Sequence, residues 1–368
     1  MSENYRVLVI NPGSTSIKLS LFNNEQEIIS ENITHAHEEI KHFDHIVDQI
    51  DFRKEIIYQF FDENSIDDQE FDAVIGRGGL IHPISGGVFV VNDEMLDDLR
   101  IAKYGEHASN LGAFLAKEIA DNAGCPAYIA DPVVVDEMDD ISKLSGVPEI
   151  QRLSKFHALN QKSSARRVAH KLGKPYEECN FIVAHMGGGI TVGAHRKGRV
   201  VDVNNGLDGE GPFTPERAGT VPAGQLVTMV LSGTYTEQEI RKKLTGNGGL
   251  VAYFGTNDLR EMLTLCRDHD PKACLIFDAM AFQISKEIAQ HGATLKGNVD
   301  AIILTGGMAF SEELITAITE RVEFLAPVEV IPGEREMEAL AINALQVLRG
   351  TQKTKKYEQG KVEHRTPV

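Results

Sequence analysis

Short apolar runs alternate with longer stretches in which apolar residues recur at helical spacing, and this alternation continues from Val7 to Leu348. The short runs predict strands at Val7–Ile10, Lys18–Phe22, Ala73–Gly76, Ala127–Ala130, Phe181–Ala184, Ile190–His195, Ala301–Leu304 and Val328–Ile331. The longer stretches predict helices at Asp44–Phe61, Ser109–Ala123, Gln161–Leu172, Thr236–Leu244, Pro271–His291, Glu312–Phe324 and Glu336–Leu348. Asp270-Pro271 supplies an N-cap and a proline at a first helical position, and Gly292 is expected to close that helix. Gly124 and Gly173 follow helical stretches as C-terminal caps do. Strands alternating with helices make an α/β protein. From Thr351 to Val368 apolar periodicity fades, so a loosely docked polar tail is expected there.

Two segments resemble each other. Val7-Leu-Val-Ile-Asn-Pro-Gly-Ser-Thr-Ser-Ile-Lys18 and Phe181-Ile-Val-Ala-His-Met-Gly-Gly-Gly-Ile-Thr-Val192 are each a strand, one polar residue, a small-residue turn and a second strand. Asn11 and His185 are the equivalent polar residues, and their separation is close to half the chain. Two related domains whose turns converge on one cleft are the expectation. In the first turn, Ser14 and Ser16 add hydroxyl donors to backbone N–H groups that can point at an anion. In the second, Gly187, Gly188 and Gly189 let a polyphosphate approach the main chain. A third small-residue segment, Leu304-Thr-Gly-Gly-Met-Ala309, has the form of a loop lying against a base or ribose. Any one of these taken alone is better read as an unliganded turn, but three at strand ends favour a nucleotide. The chain contains neither G-x-x-x-x-G-K-[ST] nor a complete G-x-G-x-x-G, so the usual mononucleotide and dinucleotide loops are absent. A hydride-transferring dinucleotide enzyme is excluded on the same ground.

Charge sharpens the question. The 368 residues carry a formal net charge of -17, which argues against nucleic acid as a partner and makes inward-facing arginines informative. No apolar window approaches the length of a membrane span, and no leader pattern opens the chain, so a cytoplasmic protein is expected. Cys125, Cys179, Cys266 and Cys274 show no C-x-x-C pair, and four reduced thiols are expected. Arg77 ends an apolar strand between glycines, and Arg217 lies in the Pro- and Gly-rich loop Gly211–Gly219. A guanidinium in either place matches a carboxylate or phosphate bidentately, although an internal ion pair accounts for each one equally well. Asp131 ends the strand Ala127–Ala130, where ligands bind in α/β sheets. His157 precedes a helix and suits an anion, whereas a lone histidine is more often structural.

Taken together, these residues resemble the acetate kinase family of the sugar kinase, Hsp70 and actin superfamily. The resemblance is carried by Val9–Lys18, Gly76–Pro83, His185–Thr191, Gly246–Tyr253 and Gly255–Arg260, and it extends from Val7 to about Leu348. It implies two duplicated ribonuclease H-like (actin-like ATPase) domains, with mixed sheets flanked by helices and an active site in the interdomain cleft. It divides the chain at 1–152 and 153–334, returns a helix at about 335–350 to the first domain, and leaves a tail at 351–368. Gly188 stands where acetate kinases have asparagine, which fits the butyrate branch of the family.

The activity implied is reversible Mg2+-dependent phosphoryl transfer from ATP to the carboxylate of a short-chain fatty acid, giving acyl phosphate and ADP. Butyrate is the expected acid, with isobutyrate, isovalerate, acetate or propionate as alternatives, and a nucleotide-binding sensor on the same fold as a further one. By resemblance, Arg77 holds the substrate carboxylate, Asp131 is the active-site aspartate, His157 steadies the transferring phosphoryl group, and Arg217 is the second catalytic arginine. Asn11, Ser14, Ser16, His185 and the Gly187–Gly189 turn contact the phosphates. Asp258 and Arg260 lie beside the adenine, and Gly306 and Gly307 form the adenosine loop. Asn11 and Glu338 serve the metal, with Glu334 and Glu336 as neighbouring candidates. The family is at least dimeric, so a homodimer or higher homo-oligomer is expected.

Overall fold

The computed structural model describes residues 4–359. The chain forms two compact units: one runs to Val135 and resumes at Arg335, and the other is Asp136–Glu334.

The first unit is built on a seven-stranded sheet. Its strands are β1 (Arg6–Pro12), β2 (Ser16–Asn23), β3 (Gln26–Thr34), β4 (Ala73–Arg77), β5 (Val88–Val90), β6 (Ala127–Ala130) and the short Lys355–Lys356. β1, β2 and β3 form an antiparallel meander, while β4 pairs parallel with both β1 and β6. Parallel strands buried on both faces read as continuous apolar runs, as Val7-Leu-Val-Ile10 and Ala73-Val-Ile75 do. The Leu111–Ala123 helix packs on β4 and β6, and the Glu336–Leu348 helix packs on β1 and β4. Leu8, Ile10, Val74, Leu111, Leu115 and Ile119 stand in the core between them.

The tail is not loosely docked as far as it is described. Tyr357 is fully buried, stacks on His82 with ring centroids 4.4 Å apart, and donates its hydroxyl to Asp98 Oδ2 at 2.7 Å. One aromatic residue in a pocket outweighs the polar composition around it, since burying such a side chain is worth about 1.5–3 kcal/mol. The rest of the tail, 360–368, lies outside the described residues.

The second unit carries a five-stranded sheet in the order β11-β10-β7-β8-β9. Here β7 is Asn180–Met186, β8 Ile190–Arg196, β9 Arg199–Val203, β10 Ala301–Gly306 and β11 Val328–Pro332. The pairing repeats that of the first unit: an antiparallel meander β7-β8-β9, then β10 parallel to β7 and β11 parallel to β10. The Ala158–Lys171 helix covers β7 and β10, and the Pro271–Thr294 helix covers β7 and β8. Asp270 caps the latter by accepting from Lys272 N and Ala273 N, and Pro271 stands at its start. That helix runs to Thr294, with Gly292 buried inside it, so Gly292 is not its terminator.

Cysteine usage also departs from expectation. Cys266, in the last turn of the Leu259–Arg267 helix, and Cys274, in the first turn of the next helix, form a disulfide. The tight turn between the helices brings their Cα atoms to 4.8 Å, a proximity that a spacing of eight residues does not advertise. Cys125 and Cys179 are free thiols, both pushed up in pKa chiefly by burial. Among the described residues no helix is long and apolar enough to cross a membrane.

Candidate functional site

Each unit gathers its expected residues at the carboxyl ends of its parallel strands. In the first unit, Ile10 of β1 is in register with Gly76 of β4, and Arg77 with Ala130 of β6. Asn11, Arg77 and Asp131 therefore leave three adjacent strands at the same level. Asn11 Nδ2 donates to Glu336 Oε2 at 2.8 Å, Arg77 Nη1 donates to the same oxygen at 2.8 Å, and Arg77 Nη1 lies 3.4 Å from Asn11 Oδ1. The glutamate beside Asn11 is thus Glu336 and not Glu338. Glu336 opens the Glu336–Leu348 helix, and Glu338, two residues on, points elsewhere and pairs with Arg335 at 3.6 Å.

Asp131 is buried and holds a left-handed backbone with φ +40°, rare for a residue with a Cβ. Its Oδ1 accepts from Gly87 N at 2.7 Å, and its own N–H donates to Gly87 O at 3.1 Å. Strain of about 1–3 kcal/mol sustained at a strand end marks a position worth testing for function. His107 lies near Arg77, and its pKa is lowered first by burial and then by the Arg77 charge.

The Asn11–Ser16 turn has an unexpected support. Arg53 is fully buried and donates to Ser16 O at 2.8 Å, Ser14 O at 3.2 Å and Gln49 Oε1 at 2.9 and 3.1 Å. Its partners are neutral oxygens, and burial pulls its pKa down to about 10. A charge held this way stabilises the turn and leaves positive potential behind Ser14 and Ser16. Arg53 was legible in principle: it stands three residues after Ile50 and four before Ile57, on the apolar face of its helix.

In the second unit the Gly187–Gly189 turn links β7 to β8, closed by Gly187 N donating to Gly189 O at 3.0 Å. His185, in register with Thr191 and Thr305, stacks on His157 with centroids 3.8 Å apart and planes 12° apart. A Cβ on Gly189 would run into Arg217 Nη1 and come within 3.3 Å of His157 Cε1, so glycine is required there and these two side chains share that spot. The position a Cβ would take on Gly187 lies 3.4 Å from His185 Nε2 and 3.7 Å from Glu334 Oε1. On Gly188 it lies 3.7 Å from Glu216 Oε2.

Arg217 reaches this turn from a braced loop. Thr214 Oγ1 donates to Gly188 O at 2.7 Å and accepts from Arg217 N at 3.0 Å, and Arg217 Nη1 donates to Gly206 O. Gly246 N and Gly248 N both donate to Glu216 O. Gly249, at φ +55°, approaches the Thr214 carbonyl so closely that a Cβ would collide with it, which explains the glycine-rich Gly246–Gly249. Burial lowers the Arg217 pKa, and among the described residues no carboxylate lies within ion-pair distance of its guanidinium. Asn257 donates to Glu216 Oε1 at 2.6 Å. Asp258 caps the Leu259–Arg267 helix and pairs with exposed Arg260 at 2.6 Å. Gly306 ends β10 and exchanges backbone bonds with Gly333, while Gly307 is exposed beyond it.

The model of the acetokinase family matches residues 149–331, just under half of the chain. That segment contains His157, His185, the Gly187–Gly189 turn, Arg217, Asp258, Arg260, Gly306 and Gly307. Among solved structures, an acetate kinase of Porphyromonas gingivalis is 18% identical with a TM-score of 0.76, over 94% of this chain and 100% of its own. An acetate kinase of Entamoeba histolytica is 18% identical with a TM-score of 0.75, over 94% and 100%. A propionate kinase from Francisella tularensis subsp. tularensis SCHU S4 is 18% identical with a TM-score of 0.71, over 92% and 98%. These likenesses establish the fold: the chain is a mixed α/β protein of the acetokinase type, with two helix-flanked sheets.

Proposed function

We propose that this acetokinase-type chain transfers a phosphoryl group between ATP and the carboxylate of a short-chain fatty acid, with butyrate the favoured acid. The observation that carries the proposal is Arg217, a guanidinium lacking a carboxylate partner among the described residues and meeting His157 over Gly189. Positive charge of this kind suits an equatorial oxygen of a phosphoryl group in flight. The acid attacks as its carboxylate, so no general base is needed. A bond forms from carboxylate oxygen to phosphorus while the bond to the ADP oxygen breaks. Arg77 takes the carboxylate, Arg217 and His157 take the transferring group, and Ser14, Ser16 and the Gly187–Gly189 turn take nucleotide phosphates. Asp131 orients neighbouring donors, consistent with the backbone bond it already accepts from Gly87.

Among the described residues no three His, Cys, Asp or Glu side chains gather as a metal cage. Asn11 and Glu336, in contact at 2.8 Å, fit a magnesium ion that keeps most of its ligands as water and substrate phosphate. Such an ion would be held by Asn11 and Glu336 and would supply neutralisation of phosphate charge. Asp258, Arg260, Gly306 and Gly307 are read as the adenosine side.

The test is ADP release from Mg-ATP with hydroxylamine trapping of acyl phosphate, run across acetate, propionate, butyrate, isobutyrate and isovalerate. An optimum at butyrate supports the full proposal. An optimum at acetate or propionate, which the structural likenesses favour equally, keeps the reaction and changes the acid. No acid-dependent turnover from folded, ATP-binding protein leaves a nucleotide sensor.

A further inference from the structure

His157 and His185 are not held alike. Asn160 Nδ2 faces the carbonyls of Glu334 at 2.7 Å and Gly333 at 3.3 Å, which only accept, so the amide nitrogen must be at that end. Its oxygen then faces His185 Nδ1 at 2.8 Å, and that ring nitrogen must carry the proton.

The next residue makes the opposite arrangement. Gln161 Nε2 lies 2.9 Å from both Thr191 O and Thr191 Oγ1; the carbonyl only accepts, so this end too is the amide nitrogen. Thr191 Oγ1 thus accepts from Gln161, and a second N–H, that of His157, points at it from 3.5 Å. Its own proton is what remains for His157 Nδ1, 2.9 Å away, so His157 Nδ1 is an acceptor and its proton sits on Nε2. The other end of Gln161 is fixed as well. Its Oε1 accepts from His195 Nε2 at 3.0 Å, and His195 Nδ1 takes the Tyr176 hydroxyl proton at 2.7 Å. His195 is completely buried, and desolvation drives its pKa well below the ordinary value, consistent with this neutral form.

We propose that Asn160 and Gln161, consecutive residues in the first turn of the Ala158–Lys171 helix, are positioning residues that lock the stacked imidazoles in opposite tautomers, His157 protonated at Nε2 and His185 at Nδ1. The two ends of the glycine turn then differ in polarity. At Gly189, His157 brings an N–H donor beside the Arg217 guanidinium, a place for a phosphoryl oxygen. At Gly187, the His185 Nε2 lone pair stands 3.7 Å from the Glu334 carboxylate, two acceptors suited to a donor such as water. A turn symmetric in sequence is thereby made directional, and one helix turn sets the direction. The functional meaning rests on the phosphoryl-transfer reading, while the tautomers themselves do not.

The experiment is ring 15N NMR on the full-length protein labelled at histidine, with the two signals assigned through His157→Gln and His185→Gln. At a pH above the ordinary histidine range, His157 is expected to show a protonated-type Nε2 and an unprotonated-type Nδ1, and His185 the reverse. Identical tautomers, or either ring doubly protonated, would overturn the proposal, even in an active kinase. In the same spectra, Gln161→Met should convert His157, and not its stacked partner His185, to a tautomer mixture and lower kcat on the order of tenfold, with little change in KM for the acid. Asn160→Leu should affect only His185. If each substitution perturbs both rings equally, the two locks are not separate and the proposal fails. Opposite tautomers in a protein without acid-dependent turnover would instead sink the kinase reading and leave the locks standing.

Discussion

Arg77 Nη1 and Asn11 Nδ2 both donate to one oxygen of Glu336. The candidate carboxylate receptor therefore already holds a carboxylate of its own unit. The pair is partly buried, with side-chain exposures of 28% and 16%, so it is more than a surface bridge. An incoming acid must displace this contact or share the guanidinium. Glu336→Gln should raise the magnesium concentration for half-maximal activity on the order of tenfold. Glu338→Gln should shift it less, and the reverse order in a magnesium titration would return the metal role to Glu338.

Arg217 is expected to be intolerant of its closest substitute. Removing a guanidinium that meets transition-state charge costs on the order of 10³-fold in turnover. Arg217→Lys retains charge but loses the fork. Its kcat should fall by a large factor as well, and a value within a few-fold of wild type would remove Arg217 from the chemistry.

The buried Arg53 makes a different claim, on nucleotide affinity and on stability together. Arg53→Met leaves the Ser14 and Ser16 carbonyls without their donor, at a cost of about 1–3 kcal/mol for each group left buried. The urea midpoint should fall and the KM for ATP should rise, with KM for the acid little changed. A folded variant with unchanged KM for ATP would mean that the Asn11–Ser16 turn does not hold phosphate.

Glu287 gives the second unit a pH dependence. Burial pushes its carboxyl up to about 7; Arg152 opposes the shift, and Asp202 and Glu210 add to it. The folded pKa lies above the unfolded value of 4.5, so the folded state holds this proton more tightly. The stabilisation is complete below that unfolded value and is lost as pH rises through about 7, by at most ~3 kcal/mol. Glu287→Gln should therefore match wild type near pH 4 and exceed it near pH 8 in urea titrations. Equal stability at both values would show that the carboxyl titrates normally.

The docked tail predicts an effect far from its own composition. Tyr357→Ala should destabilise the first unit by roughly 3–5 kcal/mol, the usual cost of deleting a buried aromatic ring. Chemical denaturation reads this directly, and a change below about 1 kcal/mol would mean that the segment is only loosely attached.

Much of the fold was legible because the central strands are buried on both faces: β1, β4, β6, β7 and β10 are uninterrupted apolar runs. β3 was not, because it is an edge strand whose residues are mostly exposed, and Gln26–Thr34 carries no sustained apolar alternation. The short β5 and β9 escaped for want of length, and the Leu259–Arg267 helix went unread although Asp258 caps it. In the site, residues on strand ends and glycine turns were visible as motifs. Glu336 stood out only as a neighbour of Glu338, and Arg53, Asn160 and Gln161 did not stand out at all, because their significance lies in what they touch across tens to hundreds of positions. Periodicity reports a residue's face and says nothing of its partner.

The first unit is interrupted: its core helix Glu336–Leu348 and the Tyr357 contact come from chain that follows the whole of Asp136–Glu334. On a ribosome, which delivers about 5–20 residues per second, the second unit has all of its sequence while the first still lacks a helix and an edge strand. Of the two units, the one whose chain emerges first is thus the one completed last. Until Arg77 meets Glu336, the nascent first unit carries an unmatched guanidinium and an uncovered face on β1 and β4, which is the period when chaperones have most to protect.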